Sequence, residues 1–309
     1  MHSTLGIDTS NYTTSAAVFD GKKMTGVKKL LPVEKGKLGL RQSDAVFYHV
    51  RQLPEVLEGL PFGSCNITAA GVSNRPRNME GSYMPCFLAG CCVAKAVSLS
   101  LNIPLYTFSH QQGHIAAALY SAGKLDLLSG RFIAFHVSGG TTEALLVTPD
   151  KDDIIKTEIV ARSLDLKGGQ AVDRVGKMLG LGFPAGAELE KLAVKTDKKF
   201  RITPCMKGAD CSLSGIENKC NDMLLKGYPK EETASYCIQS ILAALDGMAA
   251  ALLKKSGGLP LVFAGGVMSN VMIRKELTEK YGAFFAAPEY SSDNAAGIAV
   301  LTAVKEGVL

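Results

Sequence analysis

The chain has 309 residues, 47% of them hydrophobic and 20% charged. That excludes a disordered chain and supplies enough apolar material for two lobes. The net charge of +5 permits a nucleic-acid partner without requiring one, and the absence of Trp argues against a carbohydrate- or base-stacking surface as the main feature. The opening Leu5-Gly6-Ile7-Asp8 reads as a strand rather than a signal peptide, and no apolar run reaches the roughly 18 residues of a membrane span. A cytoplasmic protein with no membrane partner and with reduced thiols is expected.

In chain order, the first feature is half of a repeat. Residues 7–19 and 135–147 share Ser10 with Ser138, Thr13-Thr14 with Thr141-Thr142, and Ala16 with Ala144. Each copy alternates strand, polar turn, strand, which is a β-hairpin signature and predicts a duplicated chain. A buried strand is expected at 67–73, followed by an irregular stretch through Arg75-Pro76-Arg77-Asn78. A helix rich in small residues is expected at 85–101, a strand at 104–108 and a helix at 110–121. Residues 173–179 read as helical, 181–186 as a Gly/Pro turn, 234–255 as a long helix, 259–264 as a buried strand and 269–281 as a helix. Ser291-Ser292-Asp293 reads as the cap of a last helix running to about Lys305. Strands alternating with helices make the class α/β.

Five histidines are present, and His110 and His114 lie four apart. On a helix that spacing puts both imidazoles on one face, where they can bind a divalent transition metal or simply form a pair without one. Gln111 and Gln112 stand between them, where a zinc peptidase of the HExxH kind needs a glutamate. Asp293 is the best third ligand on chain grounds, a carboxylate expected at a helix start; serving only as an N-cap is its alternative role. Two imidazoles and a carboxylate accept zinc, iron or manganese. Three turns suit phosphate: Ser138-Gly139-Gly140-Thr141 after a strand, Gly265-Gly266 between a strand and a helix, and Gly186 in Pro184-Ala185-Gly186. Each alone is an ordinary turn; together they describe a nucleotide pocket built from backbone groups, and with no GxxxxGK[ST] loop it is not a P-loop. The eight cysteines, none in a CxxC pair, read as small buried hydrophobes, with a cluster of Cys205, Cys211 and Cys220 as the sharper alternative.

These motifs together resemble the TsaD family, formerly called the glycoprotease or O-sialoglycoprotein endopeptidase family. The resemblance runs in order through Leu5 to Ser10, His110-x-x-Gly113-His114, Val137 to Gly140, Gly169 to Asp173, Leu179-Gly180-Leu181 with Pro184-x-Gly186, Ser212-x-Ser214-Gly215, Ala264 to Val267 with Asn270, and Pro288-Glu289-Tyr290 with Asp293-Asn294. It implies a duplicated actin-like, Hsp70-like, sugar-kinase-like ATPase fold with a cleft between two lobes. The expected division is 1–108, with a C-terminal helix at 292–309 packing back onto it, and 109–291. The resemblance implies His110, His114 and Asp293 as ligands of one divalent ion, iron or zinc. It implies an adenine nucleotide or acyl-adenylate held by His136, Val137, Ser138, Gly139 and Gly140, with Asp173, Gly186, Gly265, Gly266 and Asn270. The implied activity is transfer of a threonylcarbamoyl group from threonylcarbamoyl-AMP to the exocyclic amine of a tRNA adenosine beside the anticodon. Accessory proteins of that pathway are further expected partners.

The chain departs from typical members at several positions. Asn11-Tyr12-Thr13-Thr14 replaces Cys-Asp-Glu-Thr, Arg75-Pro76-Arg77-Asn78 replaces a Gly-Pro-Gly turn with extra residues through Tyr83, Gln170 replaces a Glu, and Leu166 replaces one of two adjacent Asp residues. Arg75 and Arg77 are candidates to contact a phosphate or carboxylate that typical members do not bind. Three competing readings are a paralogue with another acceptor, a non-catalytic partner of a true transferase, and a metallopeptidase. Retention of the ligand residues weighs against the partner, and the missing glutamate against the peptidase.

Overall fold

The structure is a computed structural model that describes residues 2–10, 12–32, 40–292 and 294–309. The chain forms two compact units. One is Met1–Ser129 with Pro149–Thr157 and Ser292–Leu309; the other is Gly130–Thr148 with Glu158–Ser291. The boundary therefore falls at 129/130 rather than at the expected 108/109. The physical reason is the helix at His110–Ser121, which packs on the C-terminal helix of the first unit.

The first unit starts with β1 (His2–Ser10) and β2 (Thr13–Phe19), an antiparallel hairpin that pairs Ser10 with Thr13, and β3 (Met24–Leu30) lines up on β2. Helix α1 (Gln42–Glu58) leads to β4 (Asn66–Arg75), parallel to β1, and α2 (Phe87–Leu101) leads to β5 (Leu105–Ser109), parallel to β4. The sheet order is β3-β2-β1-β4-β5, and α3 (His110–Ser121) follows directly from β5. From Ser3 to Ser10 every residue of β1 is buried. A strand buried without alternation is covered on both faces.

The second unit repeats the plan. An antiparallel hairpin of β6 (Phe132–Val137) and β7 (Thr142–Asp150) pairs Val137 with Thr142, and β8 (Ile154–Arg162) follows. Then come α4 (Gly168–Met178), α5 (Gly186–Ala193), the short pair β9 (Cys205–Lys207) and β10 (Asp210–Ser212), α6 (Ser214–Leu225) and α7 (Lys230–Ser256). β11 (Leu261–Ala264) lies parallel to β6, followed by α8 (Val271–Tyr281) and β12 (Phe284–Phe285). The order β8-β7-β6-β11-β12 reproduces that of the first sheet strand for strand, so the repeat seen in the sequence is a repeat of topology. Phe135, Phe263 and Phe285 stack across neighbouring strands, with ring centroids 4.5 and 5.0 Å apart. Helix α7 is long and apolar enough to cross a membrane by composition, and 56% of that stretch is buried inside the protein.

The last helix, α9 (Ala296–Lys305), returns to the first unit and packs on β1, β4 and α3. It begins later than the expected cap at Ser291-Ser292-Asp293. Ala295 takes the cap position, and just before it the Asn294 side chain accepts from the Ala296 N–H at 3.1 Å. Of the suggested cysteine cluster, Cys205 is exposed while Cys211 and Cys220 are buried. Among the described residues no three His, Cys, Asp or Glu side chains gather as a metal group.

One buried group makes the first unit sensitive to acid. His49 of α1 is fully buried, its Nδ1 2.8 Å from the Thr14 hydroxyl, which itself donates to Gln52 Oε1 at 2.8 Å. The hydroxyl proton is committed to Gln52, so the ring donates from Nδ1. Burial pushes this imidazole down to about 4, against the opposing pull of the Asp8 carboxylate. The unfolded chain, titrating near 6.5, therefore takes up the proton first. Stability contributed by neutral His49 is complete above pH 6.5 and is lost as the pH falls toward 4, on the order of 3 kcal/mol in total. Urea denaturation between pH 4 and 7 is expected to show that slope in the wild type and a flatter one in His49→Gln.

Candidate functional site

Two sites stand out, one in each unit. In the first unit, Ser109 caps α3 through a capping box. Its hydroxyl accepts from Gln112 N at 3.2 Å, and Gln112 Oε1 accepts from Ser109 N at 2.7 Å. The cap fixes the first turn, and His110 and His114 then sit one turn apart with their ring centroids 4.3 Å from each other. They are the two side chains of the stretch 110–119 that are not buried. His110 Nδ1 lies 2.9 Å from Oδ1 of Asp8, a fully buried carboxylate on β1. The Ser73 hydroxyl on β4 donates to the same oxygen.

The two glutamines have structural work. Gln112 Nε2 donates to the carbonyls of Asp153 and Ile155 at 3.0 and 2.9 Å, and Gln111 Oε1 accepts from the Thr157 hydroxyl at 2.9 Å. A glutamate at 112 would aim a carboxylate at two carbonyl oxygens, so that position is built for an amide, and position 111, where HExxH carries its glutamate, also holds an amide. Asp293 lies outside the described residues. The helix that begins three residues after it, α9, meets α3 at Gly113, between the two histidines: a Cβ built on Gly297 would stand 1.8 Å from the Gly113 carbonyl oxygen.

Arg75, a candidate anion contact, donates from its guanidinium to Asn74 Oδ1 and Asn78 Oδ1, both at 2.7 Å, and Asn78 Nδ2 reaches Asp153 Oδ2 at 3.1 Å. Its bonds hold the irregular loop after β4 together. Arg77 anchors through its backbone, donating to the Ser82 hydroxyl at 3.0 Å.

In the second unit a cavity of about 380 Å³ is lined by Gly139, Asp173, Gly186, Gly266 and Asn270 of the sequence-predicted set. Its apolar wall, Val172, Ile238, Ile241, Val267 and Ile273, comes from α4, α7, the turn before α8 and α8, and Ile238, Ile241 and Ile273 belong to no motif that sequence reading found. The beginnings of α4, α5 and α8 all border this cavity, at Gly169, Gly186 and Asn270. Three helix N-termini beside an apolar slot suit a ligand with an anionic end and a flat apolar end. Asp173 Oδ1 accepts from Ala185 N at 2.9 Å, which holds the turn into α5, and Asn270 Oδ1 accepts from Ile273 N as the cap of α8. Glu190, missed in the sequence, also lines the cavity, and one of its oxygens accepts from Val271 N at 2.5 Å.

The remaining predicted residues support the loops. His136 and Val137 end β6, with Val137 wholly buried in the core. Ser138 ties the 138–141 turn by accepting from Thr141 N and donating its N–H to Thr141 O, and its carbonyl receives Gly169 N at 3.1 Å. Gly140 is exposed. Gly265 has φ +103°, and a Cβ there would stand 2.3 Å from the Val137 carbonyl oxygen, so this crossover tolerates only glycine. The departures Leu166 and Gln170 are accommodated locally. Leu166 faces the core, and Gln170 Oε1 accepts from Lys167 N at 3.1 Å, keeping a helix-capping role without charge.

Matching five-stranded sheets, with a pocket at helix starts, define the class of duplicated actin-like, sugar-kinase-like proteins. Full-length HypF, in its phosphate- and nucleotide-bound form, superposes with a TM-score of 0.60 at 16% identity, covering 98% of this chain and 46% of that one. Component A of the Acidaminococcus fermentans (R)-2-hydroxyglutaryl-CoA dehydratase gives 0.58 at 18% identity, covering 99% and 100%. The ROK hexokinase of Thermus thermophilus gives 0.50 at 14%, covering 99% of each. Within that class, the family model described as tRNA N6-adenosine threonylcarbamoyltransferase matches residues 64–300. Proteins of that name from Thermosipho africanus and Thermosipho melanesiensis are 32% and 30% identical, each covering 96% of this chain and 92% of the relative. The chain belongs to the TsaD family of transferases.

Proposed function

We propose that this protein transfers a threonylcarbamoyl group from an acyl-adenylate to the exocyclic amine of a tRNA adenosine beside the anticodon, in the cytoplasm and with accessory proteins of the same pathway. The observation that carries the reading is the end-to-end similarity to relatives of that name, at about 30% identity over 96% of the chain. The second-unit cavity supports an adenylate as ligand: helix starts for the phosphate, an apolar wall for the base, and the Asp173 and Glu190 carboxylates to accept from ribose hydroxyls. The donor is a mixed anhydride. The amine attacks its carbamoyl carbon, a C–N bond forms, the C–O bond to phosphate breaks, AMP leaves with the electron pair and the amine's surplus proton passes to water. Backbone N–H groups at the glycine turns are suited to the charge on the departing phosphate.

His110 and His114 fit a divalent metal. They are two neighbouring imidazoles on one helix face, one of them anchored through Nδ1 to a buried carboxylate. With Asp293 they would hold one iron or zinc ion. Such an ion, when bound, supplies Lewis-acid polarisation or orientation of the donor.

The alternative acceptor, a protein or small molecule, is favoured by one feature. Tyr12, 37% exposed, and buried Thr13 stand where typical members carry an acidic pair. Nucleoside mass spectrometry of bulk tRNA decides between the two. Deleting the gene is expected to deplete threonylcarbamoyladenosine, and an unchanged level would transfer the assignment to the other acceptor.

A further inference from the structure

We infer that Asp8 is the positioning residue of the metal site, fixing the tautomer of His110 so that Nε2 is its ligand atom. The role rests on the metal reading above. Asp8 is wholly buried at the middle of the first sheet, where β1 lies between β2 and β4. Its Oδ1 receives the Ser73 hydroxyl from β4 and stands 2.9 Å from His110 Nδ1 at the start of α3. An ionised carboxylate only accepts, so the ring proton sits on Nδ1 and the lone pair on Nε2. A neutral imidazole left to itself favours the opposite tautomer, with its proton on Nε2, where a cation would have to displace it. The buried carboxylate therefore performs before metal arrives the selection that the ion would otherwise have to drive, and it adds basicity to the ligating nitrogen. The contact from the sheet holds the orientation of the His110 ring at a helix start already set by the Ser109 cap.

Neither Asp8 nor Ser73 is a ligand in this arrangement, so their effect is read on the histidine and on metal affinity and not on activity alone. Asp8→Asn keeps the volume of the side chain but can present an amide N–H to Nδ1, which moves the ring proton to Nε2. Nitrogen-15 NMR of the metal-free wild type is expected to show His110 protonated on Nδ1, and the Asn variant protonated on Nε2. Zinc affinity of the Asn variant is expected to fall about 10- to 100-fold. Ser73→Ala, which removes the other hydrogen bond to the same oxygen, is expected to cause a smaller loss without changing the tautomer. Nucleotide affinity of the second unit and the thermal melt monitor folding in both. Wild-type protein that binds zinc with His110 protonated on Nε2, or an Asn variant that binds zinc as the wild type does, overturns the role of Asp8. Wild type that binds no zinc, iron or manganese defeats the metal reading itself, and the role with it.

Discussion

A His110→Ala, His114→Ala double variant is expected to lose bound divalent metal and at least about 100-fold of its transferase rate, the scale of losing one group that stabilises developing charge. On the proposed reading each imidazole contributes one ligand atom, and neither has a substitute on α3, whose other residues through 119 are buried and mostly apolar. The same variant is expected to bind adenine nucleotide as the wild type does, since every residue lining the cavity belongs to the second unit. Metal analysis of the purified protein and calorimetric titration with AMP separate the two effects. Full metal occupancy in the double variant would remove both histidines from the ligand set. Parallel loss of nucleotide binding would mean that the substitutions had damaged the fold. Because Gln111, at the position of the HExxH glutamate, is an amide that accepts from the Thr157 hydroxyl, peptide hydrolysis is expected from neither protein.

The sequence carried these features unequally, and the reason is the range over which each is encoded. The hairpins are local: alternation and a shared Thr-Thr pair at 7–19 and 135–147 predict both, and both form in the same register. The histidine pair is local too, four residues on one short helix. Helix α1 was not foreseen, since Pro54 interrupts its pattern and two large apolar residues, Phe47 and Val50, remain on its exposed face. Asp8 looks like a strand residue of no special kind; its partners Ser73 and His110 come from β4 and α3, more than sixty positions away. The apolar wall of the second-unit cavity is equally non-local, since Val172, Ile238 and Ile273 converge from three helices. The run of Ser, Ser and Asp imitates a cap, whereas α9 starts at Ala296 with Ala295 in the cap position.

The helix crossing behind the histidines gives the largest expected effect on stability. A Cβ at Gly297 would stand 1.8 Å from the Gly113 carbonyl oxygen, 2.7 Å from its carbonyl carbon and 2.8 Å from Ala117 N. All three are backbone atoms of α3, so no side-chain rotation relieves the clash, and α9 must move away as a body. Overpacking of this kind costs typically about 1–3 kcal/mol and occasionally more, and Gly297→Ala is expected at the upper end. For a 309-residue chain that lowers the melting temperature by roughly 4–5 °C. Gly113→Ala meets a different obstacle. Its Cβ would stand 2.9 Å from Cδ1 of Ile298, the far end of a flexible side chain, so a milder loss is expected from the other half of the same contact. Gly63→Ala, with nothing within 4 Å, serves as the control and is expected within about 0.5 kcal/mol of wild type. Thermal melts of the three variants test the ordering, and a Gly297→Ala protein melting with the control would mean that the crossing is looser than the backbone contact requires. Since α3 carries both histidines on the turns flanking Gly113, the same displacement is expected to weaken zinc binding in Gly297→Ala before the protein unfolds, and to leave Gly63→Ala unaffected.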